Sequence, residues 1–314
     1  MAKYKKFVSV VAYMCNAGDS VENFIKSVMV EATALFDKCE LVLVDDASSD
    51  DSLERVRGYF DKNPASYMVS IVKLASRQGV EMAMNAGRDL AIGDFIYEFD
   101  DCVVDYDISV VGDAFEKCLM GNDVVSVSSD SRTKLSSRLF YHVYNKFSGT
   151  QHPIGNETFR VLSRRAVNRV KAMGIYIPYR KAVYMNSGLK VTGITYKSIA
   201  PGAGRGTHSV KRRRTGLALD SFIYFTDVME KVSLAISVAF FVIALIVVIY
   251  VVQSFFMDEQ LESGWVSVMG FLSIGFLGIF SLLTIVLKYL SVVVSLVFKQ
   301  QRYLVEDVEK ISGN

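Results

Sequence analysis

Two stretches near the carboxyl end carry no charged side chain: VSLAISVAFFVIALIVVIYVVQSFF, residues 232–256, and WVSVMGFLSIGFLGIFSLLTIVL, residues 265–287. A helix rises 1.5 Å per residue, so about 20 apolar residues cross a hydrocarbon core of about 30 Å. Inside lipid a segment must satisfy its own backbone, which leaves the helix as the form such runs can take. A buried helix of a soluble core is the alternative, but two adjacent uncharged runs of this length point to two membrane spans. The connection MDEQLESG is short and acidic, whereas the outer flanks are basic: KRRR at 211–214 and Lys231 before, Lys288, Lys299 and Arg302 after. Positive flanks stay in the cytoplasm. This predicts a multi-pass protein of the cytoplasmic membrane, with its amino-terminal part and its carboxyl end in the cytoplasm and Trp265 at the outer interface. The spans are expected within 232–298, followed by a cytoplasmic tail at 299–314. Between KRRR and the first span, TGLALDSFIYFTDVMEK (215–231) repeats apolar residues at helical spacing. It reads as an interfacial helix, apolar face in lipid, or as a helix packed on the soluble part. The basic stretch before it would meet anionic headgroups.

Residues 1–210 read as a soluble domain. The chain's formal net charge of +2 gives no electrostatic reason to expect a nucleic-acid partner. Four cysteines, Cys15, Cys39, Cys102 and Cys118, show no C-x-x-C pair, and so no zinc-site spacing; free thiols in a reducing compartment are expected. The start, MAKYKKFVSVVAY, has too short an apolar run for a signal peptide.

Within this domain, β-branched apolar runs alternate with helical patterns. FVSVVAY, ELVLVDD, MVSIVKL, DFIYEF and DVVSVSS read as strands. SVENFIKSVMVEATALF (Ser20 as cap), DDSLERVRGYF (Ser49 or Asp50 as cap), GVEMAMNAGRDLAIG (closed by Gly93) and ISVVGDAFEKCLMG read as helices. Continuous apolar strands alternating with helices predict an α/β fold with a mostly parallel sheet covered on both faces. Ligands of such sheets sit beyond the carboxyl ends of the strands, where Asp45, Asp46, Asp100 and Asp101 fall. The stretch YEFDDCVVDYD (97–107) concentrates five acids there. No G-x-G-x-x-G follows the first strand, and neither a P-loop nor a serine-nucleophile elbow is present.

Six segments in a fixed order, VVAYMCNAGDSVENFI, LVLVDDASSDDSLE, GVEMAMNAGRDLAIGDFIYEFDD, SSRLFYHVYNKFSG, GNETFRVLSRRAV and QQRYLVEDV, resemble family 2 glycosyltransferases of the GT-A fold. More closely, they resemble the polyprenyl-phosphate glycosyltransferases and dolichol-phosphate mannose synthases that carry two carboxyl-terminal spans. The resemblance implies a Rossmann-like GT-A domain that moves a hexose, most simply glucose from UDP-glucose, onto a polyprenyl phosphate such as undecaprenyl phosphate, with inversion. It also implies a homo-oligomer, often a tetramer. A glycan-extending membrane glycosyltransferase is a second reading, although its Q-x-x-R-W motif is absent. A sugar-nucleotide-binding assembly partner without turnover is a third.

By the same resemblance, Asp45 and Asp46 are the nucleotide-binding pair, and Gly79 and Gly87 are packing or turn positions. Asp100 opens the D-x-D motif that binds Mg2+ or Mn2+ with the donor diphosphate, joined by Asp101. Here the motif departs from its pattern: Cys102 stands in place of the second Asp and Val104 in place of Gln. Asp101 or Asp105 then substitutes, or the metal is bound weakly or not at all. Arg160 matches the arginine of the segment D-F-R-L-L-D-R-R, a fork suited to phosphate. The acid of that segment is Thr158 here, with Glu157 one residue earlier. Arg132, Arg138, Arg205 and His208 are the candidates for the acceptor phosphate, with surface arginines or a lipid-attracting stretch as the alternative.

Overall fold

The computed structural model describes residues 3–130, 157–172, 180–199, isolated positions between 235 and 246, 264–298 and 303–312. The chain divides into two compact units, Met1–Ala218 together with Gln300–Asn314, and Leu219–Lys299.

The first unit is built on one eight-stranded sheet, in the order β7-β5-β6-β4-β1-β2-β3-β8. The strands are β1 (Tyr4–Met14), β2 (Phe36–Asp45), β3 (Met68–Leu74), β4 (Phe95–Phe99), β5 (Val124–Ser129), β6 (Glu157–Ser163), β7 (Val191–Tyr196) and β8 (Val305–Ser312). The central four, β4-β1-β2-β3, run parallel as the alternating pattern predicts. β6 inserts antiparallel between β4 and β5, and β8 joins β3 antiparallel at the opposite edge. The five strands read from the sequence are all present. The stretch read as a tail forms the eighth.

Around this sheet pack α1 (Gly18–Phe24), a π-helical turn (Ile25–Met29) and α2 (Val30–Leu35) in one continuous helical run, then α3 (Ser52–Lys62), α4 (Val80–Leu90), α5 (Val110–Leu119), α6 (Arg164–Ala172) and α7 (Arg180–Met185). Along the first run Val21, Phe24, Ile25, Val28, Met29 and Ala32 recur every three or four positions, and all are buried. The helix begins two residues before the expected cap Ser20, with Ala17 at its N-cap. Ser20 Oγ instead donates back to the Ala17 carbonyl. The N-cap of α3 is Asp51 rather than Ser49 or Asp50, and it makes no side-chain capping bond. Asp50, one residue earlier, accepts the N–H groups of Ser52 and Gly18 and so ties the starts of α3 and α1 together. α4 ends at Leu90, before Gly93. The core is aromatic on one side of β4: Phe99 stacks on Phe159 with centroids 4.7 Å apart and meets Phe24 edge-on at 5.0 Å.

Two glycines set the approach of α4 to the sheet. Gly79, at its N-cap, has φ +92°, a conformation that side chains disfavour. Gly87 lies so close to the strands that an added Cβ would stand 2.4 Å from Val11 Cγ1 and 2.6 Å from Val44 Cγ2.

The second unit contains α8 (Gly264–Phe298), 35 residues long, which includes the second expected span. Its side chains are described only in part, and most of the first expected span (232–256) lies outside the described residues, as does the basic and interfacial stretch 211–231. Among the described residues no helix is long and apolar enough to cross a membrane.

Replacing Gly87 with Ala is expected to destabilise the first unit by about 1–3 kcal/mol through overpacking. The matched change Gly58→Ala in α3, where an added Cβ meets nothing within 4 Å, is expected to stabilise by about 0.5–1 kcal/mol. Thermal unfolding of the two variants, with transitions moving in opposite directions, is the check.

Candidate active site

Strand β4 carries two kinds of chemistry on its two faces. Side chains alternate along a strand, so Tyr97 and Phe99 enter the aromatic core while Glu98 and Asp100 point together to the other side. The antiparallel register sets Glu98 opposite Arg160 on β6. The β5–β6 pairing then slips: Val127 faces Phe159 but Ser128 faces Glu157, so Thr158 is skipped. That irregularity turns Glu157 toward Arg160.

The result is a buried cluster of acids and guanidiniums. Arg160 donates to Glu98 Oε2 at 2.9 Å, Asp100 Oδ2 at 3.1 Å and Glu157 Oε2 at 3.1 Å. Arg180, from α7, donates to Glu98 Oε2 at 2.6 Å, Asp100 Oδ1 at 2.7 Å and Glu81 Oε2 at 2.9 Å. On the third side, Arg88 donates to the Tyr184 hydroxyl at 2.8 Å, which donates to Glu98 Oε1 at 3.0 Å. Arg160 and Arg180 are 1% and 0% exposed, and so is Glu98 at 0%; Asp100, at 14% side-chain exposure, is the member of this group that reaches solvent. Burial alone would raise the carboxyl pKa values, but Arg160 and Arg180 overcome it and hold Asp100 and Glu98 below the ordinary carboxylate range. Glu157 Oε1 is buried and has no hydrogen-bond partner among the described residues.

The structure therefore brings the three expected catalytic residues, Asp100, Glu157 and Arg160, into one contact group. It adds four that the sequence reading missed: Glu98, Glu81, Arg180 and Arg88. A glutamate inside an otherwise apolar five-residue strand was the available signal for Glu98, because such a group stays buried only when paired.

Asp45 and Asp46 lie together at the carboxyl ends of the strands, Asp45 closing β2 in register with Met14 of β1. Asp45 is 3% exposed and accepts the Ser48 N–H at 3.3 Å; burial raises its carboxyl pKa. Asp46 accepts the Gln78 N–H at 2.5 Å on one oxygen, and the Gly79 N–H at 2.8 Å and the Tyr13 hydroxyl at 2.9 Å on the other. This carboxylate is thus fixed by the turn that precedes α4.

Among the described residues, the donors around the acidic loop are already engaged within the protein. Both Asp100 oxygens are engaged by guanidiniums. Cys102 turns into the core, 2% exposed, its thiol donating to the Tyr13 carbonyl and its pKa pushed up by burial. Asp105 accepts from the hydroxyls of Tyr196 and Ser198, and Asp101 accepts the Val103 N–H at 3.1 Å. Among the described residues no three Cys, His, Asp or Glu side chains come together as a metal site. The candidates for the acceptor phosphate, Arg132, Arg138, Arg205 and His208, lie outside the described residues.

With this geometry in view, comparison with known proteins decides the family. The sequence model described as glycosyl transferase family 2 matches residues 9–171, more than half of the chain. The chain belongs to that family. An uncharacterized glycosyltransferase of Synechocystis sp. is 25% identical over 195 residues, 60% of this chain and 60% of its own length. A prophage bactoprenol glucosyl transferase homolog of Escherichia coli is 28% identical over 172 residues, 53% of this chain and 55% of its own. The chain thus spans about 60% or less of the curated relatives it matches. In structure it is similar to the mannosyltransferase PcManGT from Pyrobaculum calidifontis, solved in complex with GDP-Man and Mn2+, with a TM-score of 0.51 at 19% identity over 70% of this chain and 64% of that one. This likeness shows the fold: the family 2 domain is a GT-A-like α/β domain with a mostly parallel sheet.

Removing Arg180 (Arg180→Met) leaves Glu81, Glu98 and Asp100 short of a counter-charge and is expected to destabilise the domain by about 3–5 kcal/mol. The intact cluster also sets a pH dependence. Glu98 and Asp100 titrate lower in the folded than in the unfolded chain, so the folded state binds fewer protons between the two values. Their stabilisation is complete above the unfolded values of about 3.9 and 4.3 and is lost as pH falls through the lowered folded values. Thermal unfolding between pH 7 and pH 2 should show the loss in the parent chain and a smaller one in the Arg180→Met variant.

Proposed function

We propose that this chain transfers a hexose, most simply glucose from UDP-glucose, to the phosphate of a polyprenol such as undecaprenyl phosphate, at the cytoplasmic face of a membrane and with inversion. The observation that carries this reading is the acid–arginine cluster at the carboxyl end of β4 within a family 2 domain. Asp100 is its solvent-reaching member, held between two buried guanidiniums. A polyprenyl phosphate is anionic at neutral pH and needs little base catalysis. Its oxygen attacks the anomeric carbon as the bond from that carbon to the nucleoside diphosphate breaks, and the diphosphate leaves with the electron pair. The work of the protein is alignment and fixed electrostatics. Asp100 cannot swing away from its two partners without stranding buried charge, so it meets the donor in one orientation. The nucleotide lies toward Asp45 and Asp46. No step is routed through Mg2+ or Mn2+, since both Asp100 oxygens are already held by Arg160 and Arg180.

The polyprenyl acceptor is supported by the Escherichia coli relative, whose name states a bactoprenol glucosyl transferase homolog, and by the two uncharged runs of the sequence. The chain leaves the first unit at Ala218 and rejoins it at Gln300. Any crossing of a membrane between those residues must therefore be even in number, as two spans are. Loss of turnover with retained nucleotide binding is the second reading, favoured by Cys102 in place of an acid.

The test incubates the full chain with labelled UDP-sugars and undecaprenyl phosphate, with Mn2+ and with chelator. Labelled lipid is the expected product, and the comparison of the two conditions reads the dependence on a divalent ion. Asp100→Asn is expected to lower kcat by about 100-fold or more while nucleotide binding persists. Label in glycan alone, or bound nucleotide without any product, overturns the transfer proposed.

A further inference from the structure

The acids at the end of β2 are reached from an unexpected direction. Strand β8 lies along the outer edge of β3, and its first residues stand beside the carboxyl end of the sheet, where Leu74 pairs with Val305. There the side chain of Gln78 completes the strand pairing as a peptide group would: its Nε2 donates to the Leu304 carbonyl at 2.7 Å, and the Leu304 N–H donates to its Oε1 at 2.8 Å. The Leu304 carbonyl also accepts the Ala75 N–H at 3.1 Å. One residue earlier, the Tyr303 hydroxyl donates to Asp89 of α4 at 3.0 Å. The backbone of the same Gln78, with that of Gly79, donates to the two oxygens of Asp46. The turn at 75–79 is thus gripped from outside by β8 and grips Asp46 on its inner side.

Anchoring β8 to the sheet does not require this link. Mid-strand, Glu309 takes a two-pronged hydrogen bond from Arg57 at 3.0 and 2.8 Å and an ion pair from Lys73 at 3.3 Å. The Gln78–Leu304 pair stands at the other end, next to the acids. We propose that Gln78 and the Leu304 backbone are positioning elements of the nucleotide end of the site: they fix the turn that orients Asp46, so the segment following the second unit completes the donor pocket. The inference rests on the functional reading above, in which Asp46 faces the nucleotide.

The experiment measures affinity for UDP and GDP, donor KM and kcat, and unfolding temperature for the full chain and three variants. Gln78→Leu removes both side-chain hydrogen bonds. Leu304→Pro removes the N–H that Gln78 accepts and leaves Gln78 in place, at a point before the strand where proline is tolerated. Glu309→Gln weakens the mid-strand anchor alone. The first two are expected to weaken nucleotide binding and raise donor KM by about five- to ten-fold, the scale of one hydrogen bond, with kcat within about two-fold. Glu309→Gln is expected to lower the unfolding temperature with KM unchanged. Unchanged KM in both Gln78→Leu and Leu304→Pro overturns the inference. So does a KM that follows the unfolding temperature alike in all three variants, since the link then acts only through stability. If the unaltered chain binds neither nucleotide, the functional reading falls and takes this inference with it; if it binds one and the variants bind equally well, this inference alone falls.

Discussion

A carboxylate with no exposure to water organises this domain. Glu98 sits in β4, one of the two central strands of the sheet, and an ion there is tolerated only if other charges come to it. Arg160 arrives across the β4–β6 register, Arg180 from the short helix α7, and Arg88 with Tyr184 from the helix side. Arg160 and Arg180 need more acceptors than Glu98 offers, and Glu157, Glu81 and Asp100 supply them; Arg88 finds its own in Tyr184 and Asn85. The antiparallel insertion of β6, the slip in its pairing at Thr158 and the position of α7 are thereby tied to one another. Asp100 benefits last: it lies at the margin of the cluster, held on both oxygens, and is presented to solvent without freedom to rotate.

The parallel core was legible in the sequence because its strands are unbroken apolar runs and its helices carry their apolar residues three and four apart. The acids at the strand ends were legible because such sheets bind at that edge. The cluster was less so. Its members come from β4, β6, α4 and α7, and nothing local to Arg180 or Glu81 announces a partner some 80 to 100 positions away in the chain. Asp100, Glu157 and Arg160 came from resemblance, which says nothing of the contacts they make with one another. Arg160 donates to three carboxylates, and Asp100 accepts from two arginines. The eighth strand was hidden for another reason. VEDVEKIS carries four charges in eight residues, a pattern that suits an exposed edge strand but reads as a solvated tail when the neighbour that pairs with it cannot be seen.

The cysteine in the acidic loop follows the same logic. Where the family pattern has an acid, this chain has a thiol that joins the apolar core beside Tyr106 and Phe99. A carboxylate at that place would face either burial or a different loop path. The substitution and the double guanidinium grip on Asp100 are therefore consistent with each other: charge on this edge of the sheet is balanced from within the protein.

The edge position of β8 bears on how the chain is made. Residues 305–312 leave the ribosome only after the whole of 219–299 has been synthesised, so β3 presents a bare, hydrogen-bonding flank throughout that interval. A nascent chain in this state is open to mispairing with other strands. The unit encoded between is thus handled by the cell while the sheet is still one strand short, and closure of that flank is a late event in biogenesis.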